Sequence, residues 1–323
     1  MLKALSGIRH VCPLYHAVSD EVMPHLKYLY SVKSVTQFIR DIDFLASHFM
    51  PLPLHEWVKS VSDKTRSPRP SMTLTFDDGM KEVYDIIAPI LLEKGIPATF
   101  FINPSFVDNR DIFYKYKASL IIDRLEKPGY PESILELIES RMGIRTPGKR
   151  GIKKELLELR HHDSGKLDEI AGIMDFDFST FLKVRKPYLT TDQLNELKSK
   201  GFQIGAHSMD HPLYSALEFK DQIRQTRDSI DWVANTFNLD YRYFAFPFTD
   251  FGIRSEFFET LYNSEEPMAD ASFGTAGMKR ELYPLHFQRI PMEATGTGAG
   301  ITLKGEYLYY LLKGPFGENI IRR

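Results

Sequence analysis

Thr73-Leu74-Thr75-Phe76-Asp77-Asp78-Gly79 is an apolar, β-branched run that ends abruptly in two carboxylates and a glycine. Such a run reads as a buried strand whose C-terminal end delivers charge to a cleft. Gly79 frees the backbone for the tight turn that must follow. Met80 to Lys94 then reads as a helix, which makes a strand-turn-helix unit. Either aspartate, taken alone, would serve equally well as a cap for that helix. The balance tips toward a site because a second polar cluster, His207-Ser208-Met209-Asp210-His211, follows another apolar run far downstream.

Outward from this stretch the chain keeps an α/β rhythm. Val11 to His16 is a candidate first strand that ends in His16. Thr36 is the expected cap of a helix with Phe38, Ile42, Leu45 and Phe49 on one face, stopped by Pro51 and Pro53. A short helix over 55–61 and a polar loop over 63–70 lead into the Asp-Asp-Gly strand. Pro89 is expected to kink or restart the helix behind it, and Gly95 to end it. Pro97 to Ile102 is the next strand, so strand, helix and strand form a parallel βαβ unit. After residue 190 come further strands at 202–206, 243–247, 269–273 and 287–290, separated by helices at 219–237 and 254–262. A tyrosine-rich helix over 303–312 closes the chain.

This pattern predicts one domain over 1–323, a distorted (β/α) barrel of about seven strands with its site at the strand C-termini. A doubly wound open sheet is the alternative, weakened by the absence of a glycine-rich phosphate turn after the first strand. The segment 111–187 differs in character. It is charged and helix-rich, with helices expected at 112–126, 131–141 and 165–174, and it reads as an insertion. The basic residues of 149–154 read as a solvated face.

Composition narrows the function classes. The chain has 323 residues, 43% hydrophobic, with a formal net charge of -2. No long basic run suggests a nucleic-acid partner. No stretch approaches the ~20 apolar residues of a transmembrane helix, and the first residues lack the apolar core of a secretory signal. The single cysteine, Cys12, excludes an intrachain disulfide and sits in an apolar run that favours a buried thiol. A cytoplasmic protein, or one peripheral to a membrane, is the expectation.

His-x-x-x-His lets two imidazoles reach one ion if the segment turns helically. Adding one aspartate gives a two-histidine, one-carboxylate set with open positions. Zn²⁺ is the default ion, with Fe²⁺, Co²⁺ or Mn²⁺ as alternatives. A second carboxylate beside the first is costly unless it has its own task, and general base is the natural one. The bland alternative is one framework histidine and one surface histidine.

Thr75-Phe76-Asp77-Asp78-Gly79 and His207-Ser208-Met209-Asp210-His211 resemble the first two signature motifs of the polysaccharide deacetylases, carbohydrate esterase family 4. Ile96 to Ile102 and Leu189 to Leu194 fit the same pattern, and the resemblance runs from Tyr15-His16 to Pro291. The 111–187 segment has no counterpart in the minimal family domain. The resemblance implies removal of N-acetyl groups from amino sugars. It implies Asp77 as the general base and Asp78, His207 and His211 as metal ligands. Phe246-Pro247-Phe248-Thr249 resembles the third motif, which implies an oxyanion hole at the backbone N–H of Phe248.

The chain departs from that pattern at four points. Ala245 stands where an arginine usually orients the base, and Thr249 where glycine is usual. The later aspartate and tryptophan motif is not recognisable. The terminal motif, with its acid histidine, is echoed only by Leu285-His286. Arg289 is the candidate substitute for the arginine, against a surface salt bridge as its bland role. His286 or His16 is the candidate acid. The expected substrate is an N-acetylated saccharide of a polysaccharide or its precursor. A C–N hydrolase acting on a small non-sugar amide, and a carbohydrate-binding pseudoenzyme, are the alternatives.

Overall fold

Seven parallel staves form the centre of the molecule in the computed structural model, which describes residues 2–63, 69–144, 146–263, 265–293 and 296–323. They are β1 (Pro13–Tyr15), β2 (Leu74–Phe76), β3 (Ala98–Ile102), β4 (Gln203–Ala206), β5 (Tyr243–Ala245), β6 (Ala271–Gly274) and a broken last stave, β7. The first half of β7, His286–Gln288, pairs with β6, and its second half, Ile290–Pro291, pairs with β1. One segment therefore touches both ends of the sheet and closes it into the expected distorted (β/α) barrel. Arg289 sits at the break; its N–H donates to Gly274 O at 3.1 Å and its C=O accepts from Gly277 N at 3.0 Å. The loop over 63–70 falls partly outside the described residues.

Alternation along the staves sorts side chains between the two faces of the barrel wall. Cys12, Phe101, Tyr243, Ala245, Ala271, Phe273 and Phe287 make one buried cluster on the inner face. Residues of the other parity, among them Phe76, Phe100, Ile204 and Phe244, join the outer core with the helices. Gly205 makes room inside for Phe101: a Cβ at 205 would lie 2.4 Å from its ring. Cys12 is buried, and that burial pushes its thiol up to about 12.

Several local expectations are corrected. Ser34, not Thr36, caps the helix Val35–His48, because Ser34 and Gln37 satisfy each other's backbone N–H in a capping box. Met50–Pro51 forms an edge strand of a small three-stranded sheet, where proline's missing N–H costs no ladder bond. The helix after the Asp-Asp-Gly turn changes its winding near Pro89, from a π-helical turn over Val83–Ile87 to an α-helix over Ala88–Glu93, with Ile87 and Ala88 both helical. Pro89 lies one residue past that change of winding, where its missing N–H would otherwise interrupt an α-helical ladder. No helix among the described residues is long and apolar enough to cross a membrane.

Among its described residues the insertion contains five α-helices: Tyr114–Leu125, Glu132–Met142, Lys149–Glu158, Gly165–Ile173 and Phe178–Arg185. The third and fifth escaped the sequence reading. Lys149 and its neighbours begin a helix whose Ile152 and Leu156 are buried, and Asp177 caps the last helix. The five surround a core of their own that also takes in Ala17, Met23, Leu26 and Met80 from the barrel side. The chain leaving the insertion runs along the carboxylate turn, with Lys81 N donating to Pro187 O and Leu189 N donating to Gly79 O, both at 2.9 Å.

Gly205→Ala tests the packing inside the barrel. The methyl group overpacks against Phe101, and we expect a loss of roughly 1–3 kcal/mol of stability in urea unfolding. An unchanged midpoint would contradict this arrangement.

Candidate active site

Inner-face residues at the C-terminal ends of β1, β2 and β4 converge on one cavity of about 440 Å³, lined by His16, Asp77, Asp78, His207, His211 and Phe248 among others. Asp77 continues the inward parity of Thr75. Asp78 at φ 70° and Gly79 at φ 62° then turn the chain through two left-handed residues in succession. Glycine is the residue that tolerates this, and it also spares a contact of 3.0 Å with the Ile102 side chain.

The two aspartates have different neighbours. Asp77 receives a two-bond fork from Arg289, Nη1 to Oδ1 at 2.7 Å and Nη2 to Oδ2 at 2.8 Å. Arg289 is fully buried, so the surface role considered for it does not apply. Its guanidinium lies 5.3 Å from the Phe101 ring. Burial alone would raise the Asp77 carboxyl; the Arg289 charge, with His207 behind it, outweighs that and holds it below the usual range. Asp78 accepts at Oδ2 from the Tyr116 hydroxyl at 2.6 Å. Its other oxygen, Oδ1, is buried without a directed hydrogen bond, 3.2 Å from His211 Nε2 and 3.6 Å from His207 Nε2.

His207 directly follows β4, where its N–H donates to Ile102 O at 2.9 Å. Its Nδ1 lies 2.8 Å from Ala245 O. A carbonyl only accepts, so the proton is on Nδ1 and Nε2 turns its lone pair toward Asp78. Burial, against the pull of Asp77, lowers this imidazole to about 4, so it is neutral at physiological pH. Asn103 donates to the carbonyls of His207 and Ser208. The histidine segment does not turn helically; a loop does the work of a helix here. Ser208 and His211 are both left-handed, at φ 62° and 60°, and this loop brings the rings to 4.8 Å.

These residues fit a divalent ion. Asp78, His207 and His211 place one donor atom each within 4.8 Å of one another, and the undirected Asp78 Oδ1 is the kind of buried acceptor an ion would satisfy. A second set, Asp250, Glu281 and His286, is equally close. It already holds a cation, since the Arg323 guanidinium pairs with both carboxylates.

The two candidate acids part company. His16 lines the cavity; its Nδ1 is 2.6 Å from Glu293 Oε2, and its own N–H donates to Glu293 Oε1 at 2.8 Å. Burial would lower the His16 imidazole, but the charge and hydrogen bond of Glu293, with Asp78 and Asp77 beyond, raise it to about 9. His286 does not reach the cavity, which corrects its candidacy. Phe287 faces inward, so parity turns His286 outward, where it packs on Phe246 and Phe258 and bonds Ser272 and Asp250. Phe248 is left-handed at φ 57°, and its ring lies 4.6 Å from that of His211.

Glu293, Tyr116 and Asn103 escaped the sequence reading. Glu293 follows the last half-stave, so the rule of polar residues at strand ends could have found it. Tyr116 carries no such signal, because nothing in the 111–187 segment marks its approach to Asp78.

A family model described as polysaccharide deacetylase matches residues 64–256. No curated protein matches the sequence. The fold is similar to the Streptococcus pyogenes deacetylase PplD in complex with acetate, at 14% identity, covering 92% of this chain and 97% of that one, with a TM-score of 0.57. It is also similar to IcaB from Ammonifex degensii, at 15% identity, 93% and 96% coverage and a TM-score of 0.56. A de-N-acetylase from Aggregatibacter actinomycetemcomitans gives 15%, 92% and 99% coverage, and 0.54. At these identities the likeness is one of fold.

Arg289→Met leaves Asp77 buried and unpaired. We expect it to cost about 3–5 kcal/mol in chemical denaturation near neutral pH. Because the folded-state pKa of Asp77 is depressed, the contribution is present above the unfolded carboxyl value and fades as pH falls through the folded one. A variant as stable as wild type near pH 7 would show that the pair does not hold the barrel.

Proposed function

We propose that this chain, which belongs to the polysaccharide deacetylase family, is a metal-dependent hydrolase that removes N-acetyl groups from an amino sugar of a polysaccharide or its precursor. We take residues 1–323 as one catalytic domain with the 111–187 insertion. The observation that supports the reading most is the division of labour at the end of β2. Asp78 turns a free oxygen toward two imidazoles, while Asp77, one residue away, is locked by Arg289. A carbohydrate-binding pseudoenzyme has no use for that second, separately held carboxylate.

Asp78, His207 and His211 would hold the ion, with Zn²⁺ the best match to two imidazoles and one carboxylate. Bound there, it would supply Lewis-acid polarisation of the acetamide carbonyl. The remaining work falls to the chain itself. Asp77, ionised and fixed by the fork, accepts the proton of the attacking water. The Phe248 N–H, which makes no hydrogen bond among the described residues, is available to the developing oxyanion. His16, protonated through Glu293, gives its proton to the leaving amine. Arg289 takes the part of the arginine absent at Ala245.

Acetate release from N-acetylglucosamine oligomers tests the reading. We expect chelation to abolish release, Zn²⁺ to restore it, and Asp77→Asn to lower turnover by roughly 10²–10⁴. Release from small amides but from no acetylated sugar would overturn the saccharide assignment.

The acid has its own signature. His16 is raised to about 9, so it is protonated at neutral pH and loses that proton as pH rises through about 9. We expect an alkaline limb there in kcat/KM, moved to lower pH by Glu293→Gln. A limb that stays in place in the variant would remove His16 from the role.

A further inference from the structure

The helical insertion reaches the centre of the site. Tyr116, in the first helix of the insertion, is fully buried and donates its hydroxyl to Asp78 Oδ2 at 2.6 Å. The fixed placement of this ring follows from its surroundings. Tyr188, on the chain leaving the insertion, lies parallel to it at 6.2 Å. The rings of Phe113 and His25 meet it edge-on at 4.9 and 5.4 Å. The Tyr188 hydroxyl in turn accepts from Phe113 N at 3.0 Å, and Phe113 is the residue that precedes the helix carrying Tyr116. The backbone around Tyr188 is itself tied to the carboxylate turn through Pro187 to Lys81 and Leu189 to Gly79. The insertion and the Asp-Asp-Gly turn therefore form one packed unit.

A carboxylate beside two imidazoles has two oxygens to offer, and its side chain can rotate to present either or both. The Tyr116 hydroxyl occupies one of them. That leaves Oδ1 as the oxygen facing His207 and His211 Nε2. Hydrogen bonds of this kind orient ligands and are costly to lose.

We propose that Tyr116 is a positioning residue for the candidate metal centre: by holding Asp78 Oδ2, the insertion fixes Asp78 as a one-oxygen ligand and sets the affinity of the site. This rests on the metal-dependent reading above, and it gives the insertion a task at the site itself.

Metal titration of the full chain after chelator treatment tests it, with Zn²⁺ against a chromophoric competitor and with Co²⁺ followed by its visible spectrum. For Tyr116→Phe we expect Zn²⁺ affinity to fall roughly 10–100-fold and the Co²⁺ spectrum to change, as Asp78 gains freedom to present both oxygens. Tyr188→Phe loosens the same packed unit without touching Asp78, and we expect it to keep wild-type affinity and spectrum. Should Tyr116→Phe not fold, Tyr116→Met fills the space and equally lacks the donor. Wild-type affinity and spectrum in a folded Tyr116 variant would overturn the proposal while leaving the metal reading intact. Equal weakening in Tyr188→Phe would overturn it too, by assigning the effect to packing. Absence of binding by wild type would sink the metal reading and this proposal together.

Discussion

The fork between Arg289 and Asp77 is the constraint on which the rest of the structure depends. It joins residues 212 positions apart, and both are buried. Taking two charges out of water costs several kcal/mol per ion, recovered only when geometry is good and the remaining polar atoms are satisfied. Here both carboxylate oxygens are met, and the Arg289 Nε donates to Gly274 O at 3.2 Å. Arg289 keeps the inward parity of Phe287, so its guanidinium meets Asp77 at the residue where the last stave breaks. The same break lets its two halves pair with β6 and β1. Barrel closure and the placement of the inner charge are thus one geometric arrangement, with Phe101 beneath the guanidinium and Gly205 leaving space for Phe101.

Two adjacent carboxylates would repel each other if both faced one empty space. The fold gives each a partner of its own kind. Asp77 has a fixed cation inside the barrel. Asp78, turned away by two left-handed residues, has a hydroxyl from the insertion on one oxygen and two imidazoles near the other. His207 is held neutral by burial and oriented by Ala245 O, so it faces Asp78 as a lone pair and not as a second cation. The ordinary roles of backbone and burial thereby give the two carboxylates the different surroundings that the proposed base and ligand need.

Much of this was legible in the sequence because the site is written in contiguous motifs at strand ends. Asp77, Asp78, His207 and His211 each follow an apolar run, and strand ends in a barrel meet at one face. The barrel itself could be read from the alternation of apolar runs and helices. Parity decided what motif matching could not. His286 resembles a terminal-motif histidine because it follows Leu285, yet an inward Phe287 forces it outward. His16 shares the inward parity of Cys12 and Leu14 and reaches the cavity. Glu293, whose partner His16 lies 277 residues away, follows a half-stave too short to read as a strand, and Tyr116, 38 residues from Asp78, has no local pattern to announce its contact. The insertion helices were only partly visible, since a charged helix with few buried side chains looks like a solvated loop until its partners are known.

The central claim is that Asp78, His207 and His211 form a single metal centre at the mouth of the barrel. Elemental analysis of the purified chain, loaded with Zn²⁺ and freed of excess, measures it most directly. About one equivalent in wild type, lost in Asp78→Asn and in His207→Gln but retained in His286→Gln, is the predicted result. A chain that binds no ion, or that keeps its ion in Asp78→Asn and loses it in His286→Gln, would contradict it.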